Sequence, residues 1–344
     1  MARPEFKNID APVKNFAFDT SYREQPTRFA IELVLDNITY HYTFAVQGQE
    51  IVYELLTKKY RRTEKLLERT SSSFKDITLR SELKGFEDVK RMVKPEALCL
   101  PIADLLNNPL ASKIVSAIQG INVVSMTAGK LQPINPKKTF SEDRLRKYIN
   151  IIRTADPTLR DIKVSFEEEE VEHQRNTSDD FENREAIVKT TRVGIASRHA
   201  VYENGKETTI TPISFFKDES LGTVKLFTAL PYLFDVLEDG GVLMVDELEN
   251  GLHLSLAKEI IHLFTNEESN PHHAQLICTS HQPLLVDGEY RRDQVWITAK
   301  DDCGRSVLHR MSDLKTSRAK VNLTNRILEN AFGCNPKLFF DNNT

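Results

Sequence analysis

Hydrophobic and polar positions alternate with a period of two near the start of the chain. Phe29, Ile31, Leu33 and Leu35 precede Asp36-Asn37, and Tyr40, Tyr42, Phe44 and Val46 lead into Gln47-Gly48. This pattern predicts an antiparallel meander with one buried face, extended by a strand through Ile51, Tyr53 and Leu55. From about residue 80 to 160 the period becomes helical. Leu145, Tyr148, Ile149 and Ile152 fall at i, i+3, i+4 and i+7, Glu142-Asp143 sit in the first turn where the helix dipole favours anions, and Pro157 forces a turn beyond. The region reads either as an insertion serving as lid or partner surface, or as a plain packing layer.

Residues 164–190 are polar and acidic, with Glu167 to Glu170 in one block and Asn176 to Asp180 after it, which predicts a mobile loop. Strand-like alternation returns through Val193, Ile195 and Val201 before the turn Asn204-Gly205. The last third changes to α/β punctuation. A helix carries Leu226, Phe227, Leu230, Leu233, Phe234 and Leu237 on one face, with a kink predicted at Pro231. Then come an apolar strand Val242 to Val245, a helix with Leu256, Ala257, Ile260, Ile261 and Phe264 inward, and a second apolar strand, Ala274 to Thr279. Two fully apolar strands joined by a helix predict a βαβ unit in a parallel sheet.

With 344 residues the chain can bury a substantial core, and two lobes are expected. The net charge of -4 gives no global reason to bind nucleic acid; the local clusters Lys58-Lys59 with Arg61-Arg62, and Arg291-Arg292, read first as solvated surface and second as nucleic-acid contacts. Cys99, Cys278, Cys303 and Cys334 lie far apart and form no CxxC pair, so neither a zinc ribbon nor a disulfide framework is indicated, and a reducing, cytoplasmic compartment fits. No stretch approaches the roughly 20 apolar residues of a membrane span, and the N-terminus lacks a signal-peptide core, so no membrane partner is expected.

The candidate chemistry lies at the ends of the two apolar strands. The first stops at Asp246-Glu247 and the second at Ser280-His281. In a parallel sheet such ends open onto one crevice, where nucleotides bind. Phosphoryl transfer to water needs a divalent ion, a carboxylate to orient the water and donors for developing charge. Asp246 can supply the metal contact, Glu247 the general base and His281 the donor. Upstream, Ser220-Leu221-Gly222-Thr223-Val224-Lys225 opens a helix, where a hydroxyl and unpaired N–H groups make an anion site. Taken alone, Ser220 is an N-cap.

In this order the motifs resemble the SMC/RecF-like branch of ABC ATPases, and within it the bacterial AAA-type ATPases of the RloA kind from anti-phage and abortive-infection systems. The resemblance rests on Pro26 to Phe29 with its strands, Glu219 to Phe227, Leu243 to His253, Ala274 to Leu285, and Arg318 to Pro336 with Ala331-Phe332-Gly333. It implies an α/β fold, an ABC-ATPase head with a P-loop NTPase-like mixed sheet, an antiparallel β subdomain (1–80), a helical insertion (81–160), an acidic loop with return strands (161–212) and an α/β lobe (213–344). It further implies that Asp246 is the Walker B aspartate binding Mg²⁺, Glu247 the catalytic glutamate, and His281 the switch histidine. Ser220, Gly222, Thr223 and Lys225 would form a signature loop closing over ATP held by a second head, in a homodimer or higher oligomer. Asn250 and His253 match the segment after Walker B, beside the dimer interface. Relatives often have Ser and Pro at the positions of Gly251 and Leu254, and Asp at that of Gln282.

A phosphate loop of the form G-x-x-x-x-G-K-[ST] is missing from these residues; Gly129-Lys130 and Gly205-Lys206 lack its other members. ATPase activity of this polypeptide alone is therefore expected to be negligible. The family's sheet is taken to set the Walker B strand beside the Walker A strand, so residues 242–245 are expected to leave an unpaired apolar edge for a partner, a second polypeptide or a rearranged sheet to cover. A shortened chain, a split gene whose N-terminal Walker A fragment comes from another protein, and a degenerate ATPase retained for binding are all compatible. Two functions compete with an ATP-dependent defence subunit: a non-hydrolysing dimerisation scaffold that holds an effector nuclease, and a metal-dependent hydrolase using Asp246, Glu249, His253, His272, His273 and His281. No HExxH spacing supports the second.

Overall fold

The computed structural model describes residues 13–126, 139–173, 186–286, 290–313, 323–330 and 332–333. Gly129-Lys130, Asn176 to Asp180 and, in the tail 318–336, residues 318–322, 331 and 334–336 lie outside the described residues. The chain is mixed α/β and divides into two compact units, one of Asn122–Leu285 and one of Ala2–Ile121 with Val286–Thr344.

In the second of these units, β1 (Thr27–Leu35), β2 (Ile38–Gln47), β3 (Glu50–Lys59), β4 (Thr63–Arg69) and β5 (Ile77–Leu79) form an antiparallel meander in sequence order. Asp36 and Asn37 close the first hairpin at φ 50° and 59°, a left-handed backbone that short polar side chains tolerate. The inward face of β3 departs from the alternation read above. Ala45 pairs with Tyr53 but Val46 with Ile51, so Val52 is an extra residue and the phase slips by one. Ile51, Glu54 and Leu56 are buried, whereas Tyr53 and Leu55 are half-buried.

A 3₁₀ stretch, Ser81–Met92, and the helices α1 (Cys99–Leu105) and α2 (Pro109–Gln119) pack on this sheet. Tyr40, Leu56, Leu67 and Ile77 meet Leu83, Phe86, Leu100 and Ile114 in the core. Asn108 caps α2, its Oδ1 accepting from Leu110 N and Ala111 N, and Pro109 follows where no N–H is needed.

The unit of Asn122–Leu285 is built around three short strands: β6 (Ile121–Ser125), then, after the meander β7 (Leu159–His173), β8 (Ala186–Glu203) and β9 (Lys206–Ser214), the strands β10 (Val242–Asp246) and β11 (Gln275–Cys278). The order is β11-β10-β6, with β10 and β11 parallel. Val124, Leu243 and Val245 share a core with Leu226, Phe227, Leu230 and Leu233 of α4 (Leu221–Asp239) and Ala257 and Ile260 of α5 (Leu254–Thr265). Tyr148 and Ile152 of α3 (Glu142–Ala155) join it, and α4 runs through Pro231 as one helix. The other unit is completed by a hairpin of β12 (Trp296–Lys300) and β13 (Ser306–Arg310) around Val295, Ile297 and Met311.

Two expectations are overturned. The strand 242–245 has no unpaired edge: it is central, covered by β11 on one side and by β6 on the other. Residues 121–125, counted above with the helical stretch, supply that second neighbour, and Met126 N donates to Asp246 O at 3.0 Å where the two strands end. Among the described residues β11 and β6 are the outer strands of this sheet. Gln275 N and Thr279 N donate toward β10, to Gly241 O and Val245 O, so the main-chain groups of Leu276 and Cys278 face outward. Among the described residues the sheet is also covered on one face only; on the other, Val123 is 72% and Ile277 51% exposed.

The acidic block is the second correction. Glu167 to Glu170 lie in β7, whose register sets Glu167 opposite Arg192 and Glu170 opposite Lys189. The partner strand is rich in β-branched residues, Ile187, Val188, Thr190, Thr191 and Val193, and its ladder satisfies main-chain groups that composition alone leaves to water.

Candidate functional site

At the C-terminal ends of β10 and β11 the chain leaves the sheet as two loops, 246–253 and 279–282, stitched together by five hydrogen bonds. Thr279 N donates to Val245 O at 2.9 Å, and Leu248 N to Thr279 O at 3.0 Å. The Thr279 hydroxyl accepts from Glu247 N at 2.8 Å and donates to Asp246 Oδ1 at 2.7 Å. His281 N donates to Glu249 Oε1 at 2.7 Å. Adjacent parallel strands end level, so residues that follow them share one rim.

Asp246, Glu247 and His281 are thereby brought together. Asp246 is exposed, with one oxygen held by Thr279. Glu247 sits at φ 54°, a left-handed conformation that an L side chain adopts only where its surroundings enforce it. Its Oε1 lies 3.7 Å from His281 Nε2, and its Oε2 accepts from Asn250 Nδ2 at 2.8 Å. The His281 ring is 85% exposed, free to turn toward a ligand. Glu249 Oε2 is buried with no hydrogen-bond partner among the described residues, and burial together with this carboxylate pushes the neighbouring Cys278 thiol up to about 11. Such a set of hard carboxylate oxygens beside a hydroxyl suits a magnesium ion better than a thiophilic metal.

The α4 N-terminus forms the facing wall. Ser220 is its N-cap, Oγ accepting from Thr223 N at 3.1 Å and lying 2.8 Å from Thr223 Oγ1. Gly222 is needed for close approach: a Cβ there would lie 2.5 Å from Gly251 O. Gly251, at φ 81°, would in turn place a Cβ 2.9 Å from Lys225 Cδ, so the departure from Ser at this position matches the contact it makes. His253 caps α5 in its stead, Nδ1 accepting from Ser255 N. Lys225 turns its ammonium to Asn250, at 2.6 Å from Oδ1 and 3.2 Å from the carbonyl oxygen. A polar chain thus runs Lys225, Asn250, Glu247, His281, from the helix start to the strand ends.

Sequence reasoning passed over two parts of this arrangement. Thr279 went unremarked as the last residue of an apolar strand, although a hydroxyl two residues before His281 was the available signal. The second is a trio behind the α4 N-terminus: His199 Nε2 is 2.6 Å from Glu219 Oε1, and Nδ1 is 2.9 Å from Thr158 Oγ1 and 3.6 Å from Asp156 Oδ2. Burial raises the Asp156 carboxyl, but the hydroxyl and N–H of Thr158 outweigh it and hold the group below its ordinary value. The imidazole offers opposite nitrogens to the two carboxylates and fixes the residue before Ser220, and one ligand atom from each of Asp156, His199 and Glu219 lies within 4.8 Å of the others, a spacing that could hold a metal ion. No sequence spacing links residues 156, 199 and 219. Of the histidines considered for a metal hydrolase, His272 lies in the turn with Pro271 and His273 follows it at φ 55°. Among the described residues neither belongs to a cluster of three metal-ligating groups.

Residues 130–287 match the family described as "AAA domain, putative AbiEii toxin, Type IV TA system". The matched segment contains Ser220, Asp246, Glu247 and His281 and supports an AAA-type ATPase family. No curated protein matches the chain. Among the described residues no helix is long and apolar enough to cross a membrane.

Proposed function

We propose that the chain is the hydrolytic part of an ATP-dependent subunit in a toxin–antitoxin or abortive-infection type of defence complex, acting with a phosphate loop that is not among these 344 residues. The observation that carries this reading is the stitched rim, where Asp246, Glu247, Thr279 and His281 meet at the ends of two parallel strands. The Asp246 carboxylate, steadied through Thr279, would hold the magnesium ion. Bound Mg²⁺-ATP supplies the γ-phosphorus and neutralises the phosphate charge. Glu247 takes the proton of the attacking water at its carboxylate, and the exposed His281 ring donates from Nε2. Ser220, Gly222 and Thr223 present N–H and hydroxyl donors toward nucleotide held by a second head, while Lys225 acts one step back, through Asn250.

The phosphate loop would arrive on a strand-and-helix segment, preceding these residues or on another polypeptide, whose strand adds to the outward edge of β11. Its helix would cover the sheet face that carries Val123 and Ile277. Two heads pairing in this way would hold an effector such as a nuclease. Phosphate release by the complex purified from its native host tests the reading: Glu247→Gln should lower turnover at least ~10²-fold with ATP still bound. Unchanged turnover in that variant refutes it. The scaffold reading draws on the Asn250 bond that engages Glu247 in this structure; calorimetry finding no ATP affinity in the complex would favour it.

A further inference from the structure

The hairpin between β3 and β4 departs from the turn chemistry of its neighbours. Asp36-Asn37, Gly48 and Asn204-Gly205 close other hairpins with residues that tolerate left-handed backbone, at φ between 50° and 77°. The β3–β4 connection is Tyr60-Arg61-Arg62, preceded by Lys58-Lys59, with no turn-forming residue. Local folding gives no reason for these residues. Nor does protection of a sheet edge, because β3 and β4 are both interior strands.

Among the described residues the outer charges at the tip are uncompensated. Lys58, one step inward, is held by Glu82 at 2.6 Å and Glu64 at 3.4 Å. Those carboxylates are thereby occupied, and Lys59, Arg61 and Arg62, all exposed, have no carboxylate within 4 Å among the described residues. Tyr60 is 70% exposed, with the Arg61 guanidinium 5.9 Å from its ring centre. Three free cations around a solvated aromatic ring suit a ligand that offers spaced phosphates and a flat π surface.

We infer that the β3–β4 hairpin tip binds single-stranded nucleic acid, with Lys59, Arg61 and Arg62 on consecutive phosphates and Tyr60 stacked on an unpaired base. This surface is separate from the nucleotide chemistry proposed above and does not depend on it. An anionic membrane would use the same cations but would gain nothing from base stacking, and a duplex offers no unpaired base.

The test is fluorescence anisotropy of the full chain with a labelled 20-nucleotide oligo-dT, the matching duplex, and phosphatidylserine vesicles, at 50 and 200 mM NaCl. The expected result is tightest binding to oligo-dT, weakened ~10-fold or more by the Lys59→Ala/Arg61→Ala/Arg62→Ala variant, with the slope of log affinity against log salt reduced by about 2. Tyr60→Ala should cost ~5- to 100-fold on oligo-dT and leave duplex binding unchanged. Arg61→Lys/Arg62→Lys should retain binding, which separates charge from folding. Absence of oligo-dT binding at 50 mM NaCl, wild-type affinity in the triple variant, or vesicles bound in preference to oligo-dT would overturn the assignment. Equal duplex and single-strand affinity with a silent Tyr60→Ala would overturn it as well.

Discussion

Glu54 is fully buried in the sheet of the unit that includes residues 27–121, and its replacement by Gln offers a stringent check on how that unit is held together. Its Oε1 accepts from Tyr42 Oη at 2.8 Å and Leu100 N at 3.1 Å, and its Oε2 from Cys99 N at 2.8 Å. The carboxylate therefore caps α1, whose own N-cap, Leu98, has no side-chain acceptor. Directly across the β3–β4 ladder stands Arg69, also fully buried, donating to the carbonyls of Ser71, Ser72, Pro95 and Ala97. Gln keeps the shape but removes the charge, which weakens three hydrogen bonds by about 1 kcal/mol each. It also points an amide donor at either Cys99 N–H or the other two donors. The expected loss is about 3–5 kcal/mol. Cys99 reports on it: the thiol is fully buried and burial, with Glu54 nearby, pushes it well above the ordinary thiol range, so alkylation requires opening. In a background with Cys278, Cys303 and Cys334 changed to Ser, Glu54→Gln should accelerate Cys99 labelling on the order of 10²- to 10³-fold. Tyr42→Phe, which removes one donor, should accelerate it only about tenfold. Acceleration by Glu54→Gln no greater than that of Tyr42→Phe would refute the account of the cap.

Three further outcomes follow from the geometry elsewhere in the chain. Gly222→Ala forces a Cβ against Gly251 O and should lower stability by about 1–3 kcal/mol in urea unfolding, whereas Gly241→Ala, meeting only Val236 at 3.9 Å, should change it little. The Asp156 carboxyl lies below its ordinary value when folded, so its contribution is complete above the unfolded value of about 4 and is lost as pH falls through the folded one. Melting temperatures recorded from pH 6 to 3 should fall more steeply for the wild type than for Asp156→Asn. In the wild type at pH 8, peptide-resolved alkylation should modify Cys278, with its thiol near 11, about 10²-fold more slowly than exposed Cys303; equal rates would contradict the burial assigned to Cys278.

Much of the site was legible in sequence because its chemistry sits at boundaries between apolar runs and polar residues. Val242 to Val245 followed by Asp246-Glu247, and Leu276 to Cys278 followed by Ser280-His281, mark strand ends, and in a parallel pair those ends must meet. The N-cap at Ser220 was legible for a similar local reason. The trio of Asp156, His199 and Glu219 was not, since its members come from three places in the chain whose proximity no period encodes.

What the residue order by itself determined is the set of strands and helices with strong periodicity: the meander from Thr27 to Lys59, the helix Glu142–Ala155 and the βαβ passage from Val242 to Cys278. Burial of one face by alternate or every third and fourth residue is a local property, and hydrophobic free energy rewards it in almost any surroundings. Tertiary structure alone decided the neighbours. It put Ile121–Ser125 beside β10, made β11 and β6 the outer strands, drew Glu167 to Glu170 into a ladder and shifted the buried face of β3 by a single inserted residue. Those choices depend on main-chain hydrogen bonds between segments distant in sequence, which any residue except proline can make and which therefore leave little trace in residue type.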